Sequence, residues 1–108
     1  MDREEESMSK TPESKVKDKV KAVLDSYGAY WFMPPANGFG RSGIPDFIAC
    51  HRGRFLAVEC KAAGGQPTAL QNRELFRIRQ RQGTALIVTD DPNTLAVLDL
   101  WLKSSVEL

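Results

Sequence analysis

The sequence predicts an α/β fold in which a mixed central sheet is flanked by helices, in the element order αβββαβα. Three segments carry apolar residues at helical spacing, and four short segments are rich in β-branched or aromatic residues. A short Gly-containing turn joins the second and third strands, whereas a helix separates the third strand from the fourth. Such an order indicates a mixed sheet covered by helices.

The helices are predicted from their end signals and apolar stripes. The first has Thr11 as its N-cap and Pro12 as its first residue, and it ends at Gly28. The second spans about 67–82, with Leu70, Leu75 and Ile78 facing inward. The third begins at Asp91-Pro92 and carries a wide apolar stripe.

The strands are predicted at 29–33, 44–50, 54–61 and 84–89. Residues 34–43 hold two prolines and three glycines, so this segment is expected to be a loop.

Length and composition predict one globular domain. Of the 108 residues, 42% are hydrophobic and 27% are charged, which is ordinary for a globular protein. We expect a disordered tail at 1–10 and a single domain at 11–108. The net charge of +1 does not by itself indicate a polyanionic partner.

The cellular compartment is predicted from what the chain contains. No apolar run approaches the roughly 20 residues that a membrane span requires, so no membrane association is expected. Cys50 and Cys60 are expected to be free thiols in a reducing cell. These features favour a cytoplasmic protein.

The predicted hairpin brings two carboxylates together. If Arg52 and Gly53 form its two-residue loop, Asp46 lies directly opposite Glu59. Opposed residues have Cβ atoms roughly 5 Å apart, where like charges are destabilising. A bound cation or a shared proton would relieve the repulsion. We therefore predict a metal site, with Lys61 on the same face.

Two further polar residues lie on apolar helix faces. Gln71 projects near the middle of the inward face of the second helix, where it either bonds a neighbouring loop or reaches the metal site. Glu13 lies on the same face of the first helix as the apolar stripe, one turn before the stripe begins. An acid in a first turn is favourable through the helix dipole alone, so its role at the site stays open.

Basic residues lie near loops and along the second helix. A solvated charged face would explain most of them, but beside a carboxylate site they also suit a phosphate backbone. The candidate DNA contacts are Arg41, Ser42, Arg52, Arg73 and Arg77.

These motifs resemble a known nuclease family. Pro45-Asp46, Glu59-Cys60-Lys61 and the downstream Gln71 are similar to the motif of the PD-(D/E)XK nuclease superfamily. Gly43-Ile44 before the first motif and Ala62-Ala63-Gly64-Gly65 after the second resemble more narrowly the VRR-NUC (virus-type replication-repair nuclease) family. The resemblance extends from about residue 13 to residue 89.

The resemblance implies a restriction-endonuclease-like fold and a metal-dependent DNA endonuclease. Asp46, Glu59 and Lys61 would take the catalytic positions, with Gln71 and Glu13 assisting. Asp46, Glu59 and the Cys60 backbone carbonyl would be the metal ligands, and such hard oxygen donors suit Mg²⁺ or Mn²⁺. Stand-alone members are homodimers of phages and bacteria that act on branched DNA such as Holliday junctions.

Alternative functions stay open at this point. The chain could be a DNA-binding module that has kept a nuclease fold without turnover. It could also be a structural or interaction protein whose acidic pair is merely solvated. Among nucleases, flap, nick and duplex cutting compete with junction cleavage.

Overall fold

The predicted element order αβββαβα is confirmed by the computed structural model, which describes residues 10–35 and 40–104. The elements are α1 (Pro12–Ser26), β1 (Tyr30–Phe32), β2 (Phe47–His51), β3 (Arg54–Cys60), α2 (Ala69–Gln80), β4 (Thr84–Val88) and α3 (Pro92–Lys103). The tail predicted at 1–10, apart from its last residue, and the middle of the predicted loop lie outside the described residues.

Several element boundaries differ from the prediction, and two of these differences have local causes. Strand β2 begins at Phe47 instead of 44, because Pro45 has no N–H to donate to a sheet ladder. Helix α2 begins at Ala69, after Pro67. Its N-cap is Thr68, whose hydroxyl accepts a hydrogen bond from the backbone N–H of Gln71.

The four strands form one sheet in the order β1-β2-β3-β4. Strand β3 is antiparallel to β2 and parallel to β4, so the sheet is mixed as predicted. Arg52 and Gly53 form the hairpin loop with φ angles of 54° and 78°, the two positive values that a type I′ turn requires. The predicted register is confirmed, because pairing runs from His51↔Arg54 to Phe47↔Val58.

Helices cover both faces of the sheet. On one face, Val20 of α1 and Leu98 of α3 belong to a buried cluster with Phe47, Leu56 and Val58. On the other face, helix α2 forms a smaller buried cluster with strands β3 and β4. Alternate residues of β3 therefore point into two different cores.

The inward face of α2 differs from the prediction at two residues. Leu75 is buried as expected, but Leu70 is 44% exposed and Glu74 is only 3% exposed. The helix is therefore rotated so that a carboxylate takes part of its inner face. The Glu74 carboxylate can be buried in this orientation because arginines pair with its charge.

Cys50 and Cys60 are free thiols, as predicted. In the part of the chain that the structure describes, no helix combines the length and the apolar character needed to cross a membrane.

Candidate active site

Asp46 and Glu59 lie at one end of the central strands, β2 and β3, and this end of the sheet is called the sheet edge below. Asp46 immediately precedes β2, and extending the observed register by one pair places it opposite Glu59. The Asp46 Oδ2 atom accepts a hydrogen bond of 2.8 Å from the backbone N–H of Cys60. This bond joins the two strands beyond their last ladder pair and fixes the Asp46 carboxylate beside the end of β3.

Glu59 is a buried carboxylate with one unsatisfied oxygen. The residue is 1% exposed, and within the described residues its Oε1 atom has no hydrogen-bond partner. The Lys61 ammonium lies 3.6 Å from Oε2. Burial and then the charge of Asp46 raise the pKa of Glu59 to about 7, although Lys61 acts in the opposite direction. A cation at this oxygen would relieve both effects.

Lys17 connects the first helix to this edge. Its ammonium lies 3.6 Å from Asp46 Oδ1 and 3.8 Å from Glu13 Oε2. The structure therefore brings Glu13 to the site, through Lys17. Sequence reasoning missed Lys17 as a site residue. The available signal was its position four residues after Glu13, which puts both on one helix face.

Gln71 lines the same cleft as Asp46, and it also caps its own helix. Its Oε1 accepts a hydrogen bond of 2.8 Å from the backbone N–H of Thr68, which completes a capping box. The sequence left two roles open for Gln71, a hydrogen bond to a neighbouring loop or a contact with the metal site. The structure contains a local hydrogen bond of the first kind. The cleft has a volume of about 440 Å³ and is also lined by Arg41.

Gly43 fixes the wall of the cleft. It has a φ of 85°, and a Cβ atom there would lie 2.5 Å from the carbonyl carbon of Leu70. Only glycine therefore permits this approach of the loop to the start of α2. The close contact holds the segment that leads into Asp46 against the helix that carries Gln71.

Three of the candidate DNA contacts converge on Glu74, which sequence reasoning did not select. Arg41 Nε lies 2.9 Å from Glu74 Oε1, and the guanidiniums of Arg73 and Arg77 lie 3.4 and 3.8 Å from Oε2. The signal in the sequence was an acid between two arginines that share a helix face. The partnership with Arg41 has no sequence signal, because 33 residues separate the two.

The two remaining candidate contacts lie at different places in the fold. Ser42 is exposed and lines the cleft beside Arg41. Arg52 lies at the hairpin tip, six residues from Asp46, which in an extended strand corresponds to roughly 20 Å. A role of Arg52 in DNA binding stays a prediction.

The donors at the sheet edge fit a hard divalent cation. Asp46 and Glu59 supply carboxylate oxygens, and one of these is buried without a partner in the described structure. Residues 10–35 and 40–104 contain no group of three acids, histidines or cysteines arranged to hold a metal. A cation here would therefore need further ligands such as water or a backbone carbonyl, which is common for Mg²⁺.

Comparisons with known proteins agree with the fold. No family model matches the chain. A protein described as "Putative nuclease p44", from Acyrthosiphon pisum secondary endosymbiont phage 1, is 39% identical over 71 residues, which are 65% of this chain and 71% of that protein.

Two solved structures share the fold. One is described as a VRR_NUC domain and matches with a TM-score of 0.69 at 25% identity, covering 90% of this chain and 100% of that chain. The other is Hjc, a Holliday junction resolvase of the archaeal hyperthermophile Archaeoglobus fulgidus, with a TM-score of 0.55 at 18% identity, covering 70% of this chain and 66% of that chain. The predicted restriction-endonuclease-like fold is thereby confirmed, and the chain belongs to the VRR-NUC family of the PD-(D/E)XK nuclease superfamily.

Proposed function

We propose that this protein is a metal-dependent endonuclease that hydrolyses phosphodiester bonds in DNA, with branched DNA such as a four-way junction as its substrate. The observation that carries the proposal is the opposed pair Asp46 and Glu59, with a buried and unpartnered Glu59 oxygen, beside Lys61. The junction preference is supported by the likeness in fold to a Holliday junction resolvase.

The carboxylates would hold the metal, and the residues around them would orient the reactants. Asp46, Glu59 and the Cys60 backbone carbonyl are the proposed ligands of Mg²⁺ or Mn²⁺. When bound, such an ion lowers the pKa of a coordinated water and polarises the scissile phosphate. The hydrogen bond from the Cys60 N–H holds Asp46 Oδ2 in place, which leaves Oδ1 directed toward Lys17.

Lys61 is proposed to stabilise the negative charge that develops on the phosphate during attack by water. Its side chain is only 14% exposed, so its charge acts where solvent screens it weakly. In this structure the Lys17 ammonium pairs with the Asp46 carboxylate. A divalent ion that binds Asp46 would either displace Lys17 or share the carboxylate with it. Glu13 and Gln71 are proposed to orient water at the margin of the site.

A homodimer is proposed because one site cuts one strand, and paired cuts across a junction require two related sites. Helix α3 offers an apolar surface for such a contact, since Val97 is 52% exposed and Leu100 is 66% exposed. The two tryptophans of the chain are engaged by other residues of the same chain. Trp101 stacks with Arg54, and Trp31 packs on Phe47.

The test is cleavage of a labelled four-way junction in Mg²⁺ or Mn²⁺ by the wild type, Asp46→Ala and Lys61→Ala. We expect both variants to lose cleavage by at least about 100-fold, whereas Lys21→Ala, a control at a more exposed lysine, keeps it. Equal rates for all proteins would reject the site. A linear duplex, a flap and a nicked duplex of matched sequence should be cut more slowly than the junction; equal cutting would reject the junction preference.

Light scattering at micromolar protein tests the assembly. The wild type should have the mass of a dimer, and Leu100→Asp should reduce it to that of a monomer. A monomeric wild type, both free and bound to DNA, would rule out the dimer.

A further inference from the structure

Glu74 is a buried acid that the proposed chemistry does not use. Both of its oxygens are engaged, Oε1 by Arg41 and Oε2 by Arg73 and Arg77. Burial acts to raise the pKa of Glu74, but the hydrogen bond from Arg41 and the charges of the three arginines lower it below its ordinary value. The carboxylate is thus held ionised at the centre of three cations.

The arginines around Glu74 stay accessible although their shared partner is buried. The side chains of Arg41, Arg73 and Arg77 are 59%, 47% and 47% exposed, whereas that of Glu74 is 4% exposed. Three positive charges around one negative charge leave a local net charge of +2. A guanidinium has five N–H donors, so one bound by a carboxylate retains donors that a phosphate can use.

This cluster adjoins the proposed active site. Arg41 lines the cleft that Asp46 also lines. The loop that carries Arg41 is fixed to α2 at two points, by the Arg41–Glu74 ion pair and by the close approach of Gly43 to Leu70. The guanidinium of Arg41 is therefore held at the cleft by groups on a rigid helix.

We propose that Glu74 is a positioning residue that gathers Arg41, Arg73 and Arg77 into a clamp for a backbone phosphate beside the cleft. This inference rests on the proposed function, because it takes a nucleic acid as the ligand. Glu74 does not touch the DNA in this arrangement. It acts by holding three guanidiniums, with their side-chain entropy already reduced, in a geometry that fits the phosphate oxygens.

The role of Glu74 can be separated from a simple effect of charge. Glu74→Gln raises the net charge of the protein by one. If only charge mattered, this variant would bind DNA more tightly than the wild type. If Glu74 positions the arginines, the variant binds more weakly despite its added positive charge.

The experiment measures binding of a labelled four-way junction without divalent metal, over a range of salt concentrations, for the wild type, Glu74→Gln and Asp18→Asn. Asp18 is a matched control, because it is an exposed carboxylate that pairs with Lys10 and Lys21 away from the Glu74 cluster. We expect Glu74→Gln to weaken binding about 10-fold and to make the salt dependence shallower by the equivalent of about one or two phosphate contacts. Asp18→Asn should bind as well as the wild type or slightly better.

A second comparison keeps the inference testable if Glu74→Gln does not fold. Arg41→Gln and Arg81→Gln remove the same charge, but Arg81 hydrogen-bonds a backbone carbonyl and is not a partner of Glu74. Arg41→Gln should weaken binding about 10-fold and Arg81→Gln about twofold. If Glu74→Gln does fold, the losses in the double variant, Arg41→Gln with Glu74→Gln, should be less than additive because both changes disrupt one clamp.

The outcomes separate this inference from the function on which it rests. If the wild type cuts the junction but Glu74→Gln binds DNA as tightly as the wild type, the clamp is overturned and the proposed nuclease is not. Equal losses in Arg41→Gln and Arg81→Gln would do the same. A wild type that binds no DNA would overturn both the clamp and the proposed nuclease.

Discussion

Glu59 and Glu74 are both buried glutamates, with exposures of 1% and 3%, but their surroundings are opposite. Glu59 faces Asp46 and has one nearby lysine, and its Oε1 lacks a partner in the described part of the chain. Glu74 has three arginine partners that engage both oxygens. Accordingly, the pKa of Glu59 is raised to about 7, with burial as the largest cause, while that of Glu74 is lowered.

We propose that this difference reflects the ligand that each region binds. The two carboxylates Asp46 and Glu59 have too little positive charge around them, so a cation could bind between them. Around Glu74 the positive charge is in excess, so this cluster has capacity for an anion. Metal-dependent hydrolysis of a phosphodiester requires a metal and a phosphate bound side by side.

The largest expected contrast between the two glutamates is in the rate of cleavage. Glu59→Gln removes a proposed metal ligand, so cleavage at saturating DNA should fall by at least about 100-fold. Glu74→Gln should leave that rate within about fivefold and raise KM instead, because it weakens binding without altering the reacting groups. Single-turnover measurements over a range of protein concentrations distinguish the two effects. Loss of the saturated rate in both variants would remove the distinction drawn between them.

The pH dependence of metal-free stability should have opposite signs at the two residues. The pKa of Glu59 is raised from 4.5 to about 7 on folding, so the folded state binds more protons in this range. The contribution of Glu59 to stability should therefore be fully present below about pH 4.5 and fall as the pH rises toward 7, by up to about 3 kcal/mol. Glu74 has a lowered pKa, so its contribution is present above its unfolded value and is lost as the pH falls through its folded value.

Urea denaturation in chelator between about pH 2 and pH 8 measures both slopes. Glu59→Gln should abolish the loss of stability between about pH 4.5 and 7 and should be more stable than the wild type at pH 8. Glu74→Gln should retain that loss and be less stable at pH 8. An unchanged profile in Glu59→Gln would show that Glu59 is ionised without cost in the folded protein.

The stabilisation of the folded protein by a divalent metal should depend on Glu59 and not on Glu74. Mn²⁺ at about tenfold its Kd should add about 1.4 kcal/mol, which for a domain of this size raises Tm by several degrees. Differential scanning calorimetry should show this shift in the wild type and Glu74→Gln, and little of it in Glu59→Gln. A full shift in Glu59→Gln would mean that the metal binds without Glu59.

The smallest expected effect concerns Gln71, which lies between the two regions. Gln71→Ala and Thr68→Ala each disrupt the capping box and should cost about 1 kcal/mol of stability. Only Gln71→Ala should also slow cleavage, because Gln71 lines the cleft and Thr68 is absent from its lining. Equal cleavage by the two variants would indicate that Gln71 acts through its helix cap.

Sequence reasoning succeeded where local rules decide the structure. The register of the β2–β3 hairpin follows from the Arg52-Gly53 turn, and the register alone sets Asp46 opposite Glu59. The start of α1 follows from Thr11 and Pro12, whose cap and first-turn roles are both observed. These features depend on neighbours within a few residues, so they are encoded in the order of the chain.

Other features depended on packing between distant segments. The burial of Glu74 needs Arg41, which comes from a loop far away in the chain, and the orientation of α2 that exposes Leu70 follows from the same packing. The contact of Lys17 with Asp46 depends on how α1 lies across the sheet edge. Periodicity predicts which residues share a helix face, but it does not fix the rotation of that face against a sheet.

The sequence by itself determined the element order, the hairpin register and the placement of Asp46, Glu59 and Lys61 at one sheet edge. The tertiary structure decided the electrostatic state of each acid, because that state depends on burial and on charges from other elements. Neither residue type nor the hairpin register shows that one oxygen of Glu59 is buried without a partner in the described structure, or that Glu74 is buried among arginines. Only the folded chain leaves one of them short of positive charge and surrounds the other with arginines.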